Sequence, residues 1–371
     1  MNNLLKNPFR LLFPLAFIMG SVGVALFIPN LFGMESYPIN FHRRVMLDIF
    51  MNLVITGFLF TALPQFTKTE SIKKSELLIS TTLLLFAFLG NAIPFLFHGF
   101  MVCFYIYLLI ILFSRLLTAK EKIPYSFYFL PMAILYAVIA EIVWLMPIPG
   151  MDEYARKFLY FGYFLGVIMG VGLRLIPGLL GHTDVVKKQR KNYESGKPIT
   201  NDFKVLIILF NLQIISDVMN SGVSTVLFRF LFLLMPAVTM FKLYRRPKAQ
   251  TWHAWGVWLA VWSIITGFIA IHLDPINAAH WIHLIFINGI VLLAFMIITR
   301  VTKAHNSLDN KKEDSKTFLT IIILTLFTGL TRATSFYMPS SYANHLAYAA
   351  MLLIVLFIWL FFYLNKFKDK K

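Results

Sequence analysis

Two histidines three residues apart are the most suggestive pair of chemical groups in this 371-residue chain. The spacing of His280 and His283 places both imidazoles on one face of a helix, where two nitrogens can be offered to one metal ion. Histidines in a membrane also occur as hydrogen-bonding partners of neighbouring helices. The pair therefore has two interpretations, a metal ligand set and an interhelical hydrogen bond.

Other ionisable residues interrupt apolar stretches of the sequence. A charged side chain at the centre of a membrane helix costs about 2.5–3.5 kcal/mol on insertion scales, so such residues mark sites or pair with one another. If the loops rich in lysine and arginine face the cytoplasm, one set of these residues falls in the outward half of the membrane. It consists of Asp48, Glu141, Asp217, Arg229 and Arg332, with His42, His98, His272 and His345 near the boundary. The alternative is that the acids and arginines form structural ion pairs.

A second set lies at the opposite, inward ends of the apolar stretches: Arg174, His182, His253, Arg300 and His305. The tendency of basic residues to stay on the cytoplasmic side explains this set without a ligand. Gly162, Gly166, Gly170 and Arg174 recur at intervals of four along one helix face. Such a strip permits close helix packing, or the approach of a flat ligand whose acidic groups meet the arginine.

The elements that carry these residues are membrane helices, because 58% of the chain is hydrophobic, 14% is charged and the mean hydropathy is +0.73. The formal net charge of +17 is spread in short runs between apolar stretches. We therefore expect contact with a lipid bilayer and no nucleic-acid partner. One cysteine, Cys103, excludes an intramolecular disulfide and a multi-thiolate metal site.

The sequence predicts an all-α polytopic integral membrane protein with about twelve transmembrane helices, since a helix needs about 20 apolar residues to cross a bilayer. The predicted spans are 11–32, 46–66, 76–97, 99–118, 124–147, 157–180, 203–219, 222–244, 252–272, 278–299, 317–338 and 343–365. The first is too long for the core of a signal peptide, and we interpret it as a retained helix.

Lysines and arginines concentrate in alternate loops and at both ends of the chain. This pattern predicts cytoplasmic termini and a multi-pass protein of the inner (plasma) membrane. A basic linker, residues 181–202, separates a first six-helix half, residues 1–180, from a second half, residues 203–371. No convincing sequence repeat relates the halves.

Several motifs along the chain resemble those of the NnrS family of membrane proteins. In chain order they are Phe41-His42 with Met46, the segment Gly-Phe-Leu-Phe-Thr-Ala-Leu-Pro-Gln-Phe-Thr at 57–67, Arg174-Leu175-Ile176-Pro177, His253 with Trp258, His283, Thr299-Arg300 and His305. The family's W-H-x-H-E-M motif has a second His and a Glu where this chain has Arg44 and Val45, and Ala304 replaces a Gly. We therefore expect a divergent member with one metal site altered or lost.

The resemblance implies haem and copper as cofactors and a role in nitric oxide metabolism or nitrosative stress. It gives metal roles to His42, His253, His283 and His305, to which the helical spacing adds His280. A membrane haem needs imidazole ligands, small residues against the porphyrin and arginines for the propionates. Gly166, Gly170, Arg174, Arg300 and Arg332 are the candidates for the last two roles.

Haem is better supported than copper, because no Met-x-x-Met cluster stands beside the histidines. These residues are compatible with reduction, scavenging and sensing of nitric oxide, so they do not decide whether the protein is an enzyme. They also do not indicate its oligomeric state. The alternative function is a six-plus-six secondary transporter. Pro64 and Pro236 interrupt corresponding helices of the two halves, but Pro94, Pro131 and Pro177 have no such counterparts.

Overall fold

The computed structural model describes residues 2–34, 36–146, 148–219, 222–305 and 314–365, and these ranges contain helices and turns without a strand. Eleven helices among these residues are long and apolar enough to cross a membrane. They are α1 (Phe9–Phe32), α2 (Ile39–Thr67), α3 (Lys74–Ala92), α4 (Pro94–Leu117), α5 (Tyr125–Leu145), α6 (Met151–Leu179), α9 (Gly222–Thr239), α10 (Trp252–Leu273), α11 (Pro275–Ala304), α12 (Lys316–Tyr337) and α13 (Pro339–Tyr363), with α7 (Thr183–Glu194) and α8 (Asn201–Val218) between α6 and α9. The predicted all-α polytopic membrane fold is confirmed.

The predicted span 203–219 forms helix α8 but is not among the eleven apolar helices. Asp202 and Lys204 lie in its first turn and Asp217 lies near its end. The predicted linker, residues 181–202, contains α7, an amphipathic helix with four basic residues. Cytoplasmic termini and the six-plus-six division stay predictions.

Three of the long helices share an unusual construction. In each, a short α-helix, preceded in α11 by the 3₁₀ turn Pro275–Asn277, widens into a π-helical segment and then continues as an α-helix. The π segments are Arg44–Phe50 in α2, Phe158–Phe164 in α6 and Leu284–Val291 in α11. A π segment breaks the regular i to i−4 hydrogen-bond pattern and is frequent at functional sites. His42 lies two residues before the first segment, and His283 directly precedes the third.

The chain divides into two compact units. Unit 1 consists of Met1–Phe60 and Ala249–Lys371, and unit 2 consists of Thr61–Lys248. The core of unit 1 contains stacked and edge-to-face phenylalanines, with Phe357 in contact with Phe17, Phe50 and Phe295 at ring-centroid distances of 5.2–6.2 Å among the group. In unit 2, Phe210 packs against Phe129, Tyr136 and Phe232.

Candidate functional site

Unit 1 brings three of the predicted histidines and one arginine together near the beginnings of α2 and α11 and the end of α12. We call His42, His280, His283 and Arg332 the histidine cluster. His283 lies close enough to His42, His280 and Arg332 to interact with each of them electrostatically. The outward set predicted from sequence therefore contains a group of neighbouring side chains.

His42 is held by the backbone of α1. Its Nδ1 lies 2.9 Å from the carbonyl oxygen of Gly23, and a carbonyl only accepts hydrogen bonds, so Nδ1 carries the hydrogen and donates. The ring also packs edge-on against Phe27 at 5.0 Å. This arrangement leaves Nε2 as the nitrogen with the lone pair.

His283 has the same arrangement on a different helix. Its Nδ1 donates to the carbonyl oxygen of Ala279 at 3.0 Å, one turn earlier in α11, and the lone pair is again on Nε2. Metal-binding histidines usually donate their other ring N–H to a carbonyl or carboxylate, which fixes the tautomer and the ring orientation. His42 and His283 thus share one arrangement, in which Nδ1 donates to a backbone carbonyl and Nε2 keeps its lone pair.

His280 is arranged differently from its neighbour. Arg332 donates from Nη1 to Nδ1 of His280 at 2.8 Å, and because an arginine has no acceptor, Nδ1 must carry the lone pair and Nε2 the hydrogen. The ring contacts Phe336 and Tyr342 at 5.2 and 5.7 Å. The predicted sharing of one metal by His280 and His283 does not fit this tautomer; His280 holds Arg332 in place instead.

The start of α11 is organised by Asp274. Its carboxylate accepts hydrogen bonds from Trp281 Nε1 at 3.0 Å and from the side chain of Asn277. These bonds, with the Trp281 bond the largest contribution, lower the pKa of Asp274. The ionised carboxylate therefore anchors the helix turn from which His280 and His283 project.

His253 belongs to a second group in unit 1. Its Nε2 donates to the carbonyl oxygen of Met296 at 3.1 Å, and its ring packs edge-on against Phe318 at 4.9 Å. Arg300 and Lys303 lie close enough to His253 for electrostatic interaction. Met296 follows His283 by thirteen residues of α11, which corresponds to roughly 20 Å. His253 and His283 therefore cannot bind the same metal ion.

His305 ends the helical segment Leu292–His305, but its side chain lies outside the described residues. Among the described residues, no three His, Cys, Asp or Glu side chains are grouped to hold one metal ion. The five predicted metal ligands are therefore not one ligand set. The histidine cluster offers two oriented imidazoles and a cation, which suits a haem iron better than a closed all-protein metal site.

Gly166 and Gly170 lie in unit 2, where the glycine strip of α6 packs against α5. A Cβ atom added at Gly166 would lie 2.6 Å from the Cβ of Ala133, and one added at Gly170 would lie 2.6 Å from Leu130 Cδ2. Side chains of α5 thus fill the space beside both glycines, and no room for a flat ligand remains there. The strip therefore serves close helix packing, the first of its two interpretations. Arg174 lies near the end of α6, and its Nε is buried without a hydrogen-bond partner among the described residues.

Two buried pairs in unit 2 contain four other residues of the outward set. His98 Nδ1 lies 2.6 Å from Glu141 Oε2, and the His98 ring stacks on Trp144. Arg229 forms an ion pair with Asp217, and its guanidinium lies 3.7 Å from the centroid of the Phe161 ring. Asp217 and Arg229 form the ion pair of the structural interpretation, whereas His98 is 2% exposed and is therefore paired inside the protein rather than wetted by head groups.

Sequence reasoning missed the His98–Glu141 pair, although each residue is an isolated ionisable group in an apolar helix and that property was a usable signal. It also missed the three π-helical segments, for which no sequence signal is evident.

A search with protein-family models agrees with the motifs. The NnrS family model, described as NnrS protein, matches residues 3–370. No curated protein and no solved structure matches the chain. Because the family model covers essentially the whole sequence, the chain is a multi-pass membrane protein that belongs to the NnrS family.

Proposed function

We propose that unit 1 binds haem at the histidine cluster, with Nε2 of His42 and of His283 as iron ligands, and that the protein acts in nitric oxide metabolism or nitrosative stress resistance. One observation supports this most: both imidazoles donate Nδ1–H to a backbone carbonyl and keep the Nε2 lone pair. Haem held by one of the two imidazoles would leave a coordination position for nitric oxide, and haem held by both would bind nitric oxide in exchange for one of them. Nitric oxide is small and apolar, so it can reach such a position from the lipid.

In this proposal, Arg332 binds a propionate group of the haem. Its guanidinium is held by His280 Nδ1 at 2.8 Å and by Ser335 Oγ at 3.2 Å, and lies 5.9 Å from the Tyr342 ring centroid. These contacts fix the orientation of the guanidinium group before any ligand binds. A guanidinium group held in this way can pair with a carboxylate through two parallel hydrogen bonds. His280 then acts through Arg332 rather than on the metal.

Copper is the second candidate cofactor, and the group around His253 is where we propose it. The hydrogen bond to Met296 leaves the lone pair of His253 on Nδ1. Arg300 lies near this histidine and stays the proposed partner of an acidic group there. We also propose the inner (plasma) membrane as the location of the protein, with the basic loops on its cytoplasmic side.

The test is the visible absorption spectrum of the purified full-length protein, made with haem and copper supplied. We expect a Soret band that His283→Ala and His42→Ala each remove or shift. His345→Ala is the matched control, because its imidazole lies in the same unit and, among the described residues, has the sulfur of Met338 at 3.2 Å as its hydrogen-bond partner. Added imidazole should restore the band in His283→Gly if the missing group is an iron ligand.

An unchanged Soret band in both single variants would remove the ligand assignment. Protein that contains neither haem nor copper would favour the transporter alternative.

A further inference from the structure

Two segments of unit 2 together carry a large excess of positive charge. Helix α7 and the turn 242–248 contain eight lysines and arginines: Lys187, Lys188, Arg190, Lys191, Lys242, Arg245, Arg246 and Lys248. Their two acids are already paired. Asp184 binds Lys242 at 2.6 Å and lies 3.9 Å from Lys248, and Glu194 binds Arg190 at 2.6 Å.

The two basic segments are held against each other. The Lys248 N–H donates to the carbonyl oxygen of Leu180 at 2.9 Å, and the Lys242–Asp184 ion pair joins the turn to the first turn of α7. The far end of α7 is fixed by Tyr125, whose hydroxyl donates its one hydrogen to the carbonyl oxygen of Lys197 at 2.6 Å or to that of Asn192 at 3.0 Å. The charges therefore form one surface with a defined shape. We call the exposed residues Lys187, Lys188, Lys191, Arg245, Arg246 and Lys248 the basic surface.

The basic surface adjoins the ends of three apolar helices, α6, α9 and α10. The turn connects α9, which ends at Thr239, to α10, which starts at Trp252, and both are apolar enough to span the membrane. Helix α7 starts four residues after α6 ends at Leu179. Tyr244 is 60% exposed beside Arg245, whose guanidinium lies 5.1 Å from the tyrosine ring centroid. Exposed tyrosines are enriched at membrane interfaces.

We propose that the basic surface binds the phosphate groups of anionic phospholipids in the surrounding membrane. Arginine forks pair with phosphate oxygens, and lysines contribute point charges. A position at head-group level gives the membrane's own phosphodiesters a far higher local concentration than a soluble phosphate has. This inference is independent of the haem proposal. Each basic residue that acts on the same bound lipid strengthens binding about five-fold, so side chains gathered on one surface contribute more than lysines spread over separate loops.

The test is native mass spectrometry of the full-length protein in detergent, with phosphatidylglycerol and phosphatidylcholine in equal amounts. We expect the wild type to retain phosphatidylglycerol preferentially. The variant Lys187→Gln/Lys188→Gln/Lys191→Gln/Arg246→Gln should lose the preference at least ten-fold. The same four positions with arginine in place of each lysine, and Arg246 unchanged, should keep it, which separates charge from misfolding.

The matched control changes four exposed lysines elsewhere in unit 2, Lys68→Gln/Lys73→Gln/Lys74→Gln/Lys120→Gln, which should keep most of the preference. An equal loss in both quadruple variants would overturn the proposal, because net charge alone would then explain lipid retention. Displacement of phosphatidylglycerol by millimolar inorganic phosphate would also overturn it, in favour of a soluble anion. Absence of any preference in the wild type would do the same.

Discussion

The histidine cluster of unit 1 and the buried pairs of unit 2 use the same kinds of residues in opposite ways. In unit 1, His42 and His283 donate to backbone carbonyls. In unit 2, His98 binds the carboxylate of Glu141, and Arg229 binds Asp217. A carbonyl partner orients an imidazole without adding a charge, whereas a carboxylate partner ties the imidazole to a neighbour that is costly to leave alone in the membrane. Either partner can orient a metal-binding imidazole, so burial makes the distinction: the His98 ring is 2% exposed and stacked on Trp144, whereas the His283 ring is half-buried.

The largest effect on stability is expected when one member of a buried pair is removed. Asp217→Ala leaves the Arg229 guanidinium, 4% exposed, without its carboxylate. Removing one member of a buried ion pair typically costs about 3–5 kcal/mol. Thermal unfolding of the purified protein should show that its free energy of unfolding decreases by about this amount. The haem content of the protein that remains folded should not change.

The double variant Asp217→Leu/Arg229→Met is the control for this prediction, because it removes both charges and should recover much of the loss. A double variant as unstable as Asp217→Ala would mean that shape, and not the unpaired charge, causes the instability.

A smaller effect is expected where the glycine strip meets α5. Gly166→Val places a branched side chain against Ala133 and Phe210, which lie 2.6 and 2.8 Å from the added Cβ position. Overpacking of this kind costs about 1–3 kcal/mol. Gly99→Val in α4 is the control, since a Cβ there meets nothing within 4 Å, and its unfolding temperature should stay near that of the wild type. Loss of haem without loss of stability in Gly166→Val would return this glycine to the ligand interpretation.

The histidines themselves should divide by unit. His283→Ala loses one hydrogen bond to a carbonyl at a half-buried position, and we expect a cost of about 1 kcal/mol in the protein without haem. His98→Ala leaves Glu141, 0% exposed, without its imidazole partner and should cost several times more. Unfolding temperatures of the two variants, measured without haem, provide the comparison. Equal costs would show that the two histidines do not differ in their structural roles.

Much of this architecture follows from the sequence, and the exceptions have physical causes. Apolar length and basic loops predict the membrane helices, because the bilayer imposes both on any chain that crosses it. Helical spacing brought His280 and His283 together on one helix, but it carries no information about their partners. Only the position of Arg332, on another helix, shows that His280 accepts a hydrogen bond. The same holds for His98 and Glu141, whose pairing depends on the contact between α4 and α5.

The glycine strip shows where two physical interpretations of one pattern compete. Glycines at intervals of four leave a smooth helix face, and a neighbouring helix and a flat ligand can both fill it. The choice depends on residues of α5, including Leu130 and Ala133, whose approach could not be deduced from α6 alone. The ten predicted site residues are divided between the two compact units; for example, Arg174 belongs to unit 2 and Arg300 to unit 1. This division also depends on which helices pack together, which the sequence of one helix does not show.

The smallest effect concerns pH and lies outside the membrane, where α7 meets the turn 242–248. Burial lowers the pKa of His182, and the nearby charge of Lys248 lowers it further. Neither ring nitrogen has a hydrogen-bond partner among the described residues. The folded protein therefore protonates this ring at lower pH than the unfolded chain, which takes up a proton below about pH 6.5. Stability should fall as the pH decreases from about 7 to 5, because the unfolded state then binds more protons.

The neighbouring carboxyl titrates in a separate window. The hydrogen bond from Lys242 lowers the pKa of Asp184 to about 2, so the stability that Asp184 contributes is complete above about pH 4 and disappears between about pH 4 and 2. Unfolding temperature measured against pH for the wild type, His182→Phe and Asp184→Asn isolates the two contributions. His182→Phe should flatten the curve only between pH 7 and 5, and Asp184→Asn only between pH 4 and 2. If His182→Phe retained the full slope between pH 7 and 5, the histidines of the membrane region would be its source, and the comparison between the two units would need to include their protonation.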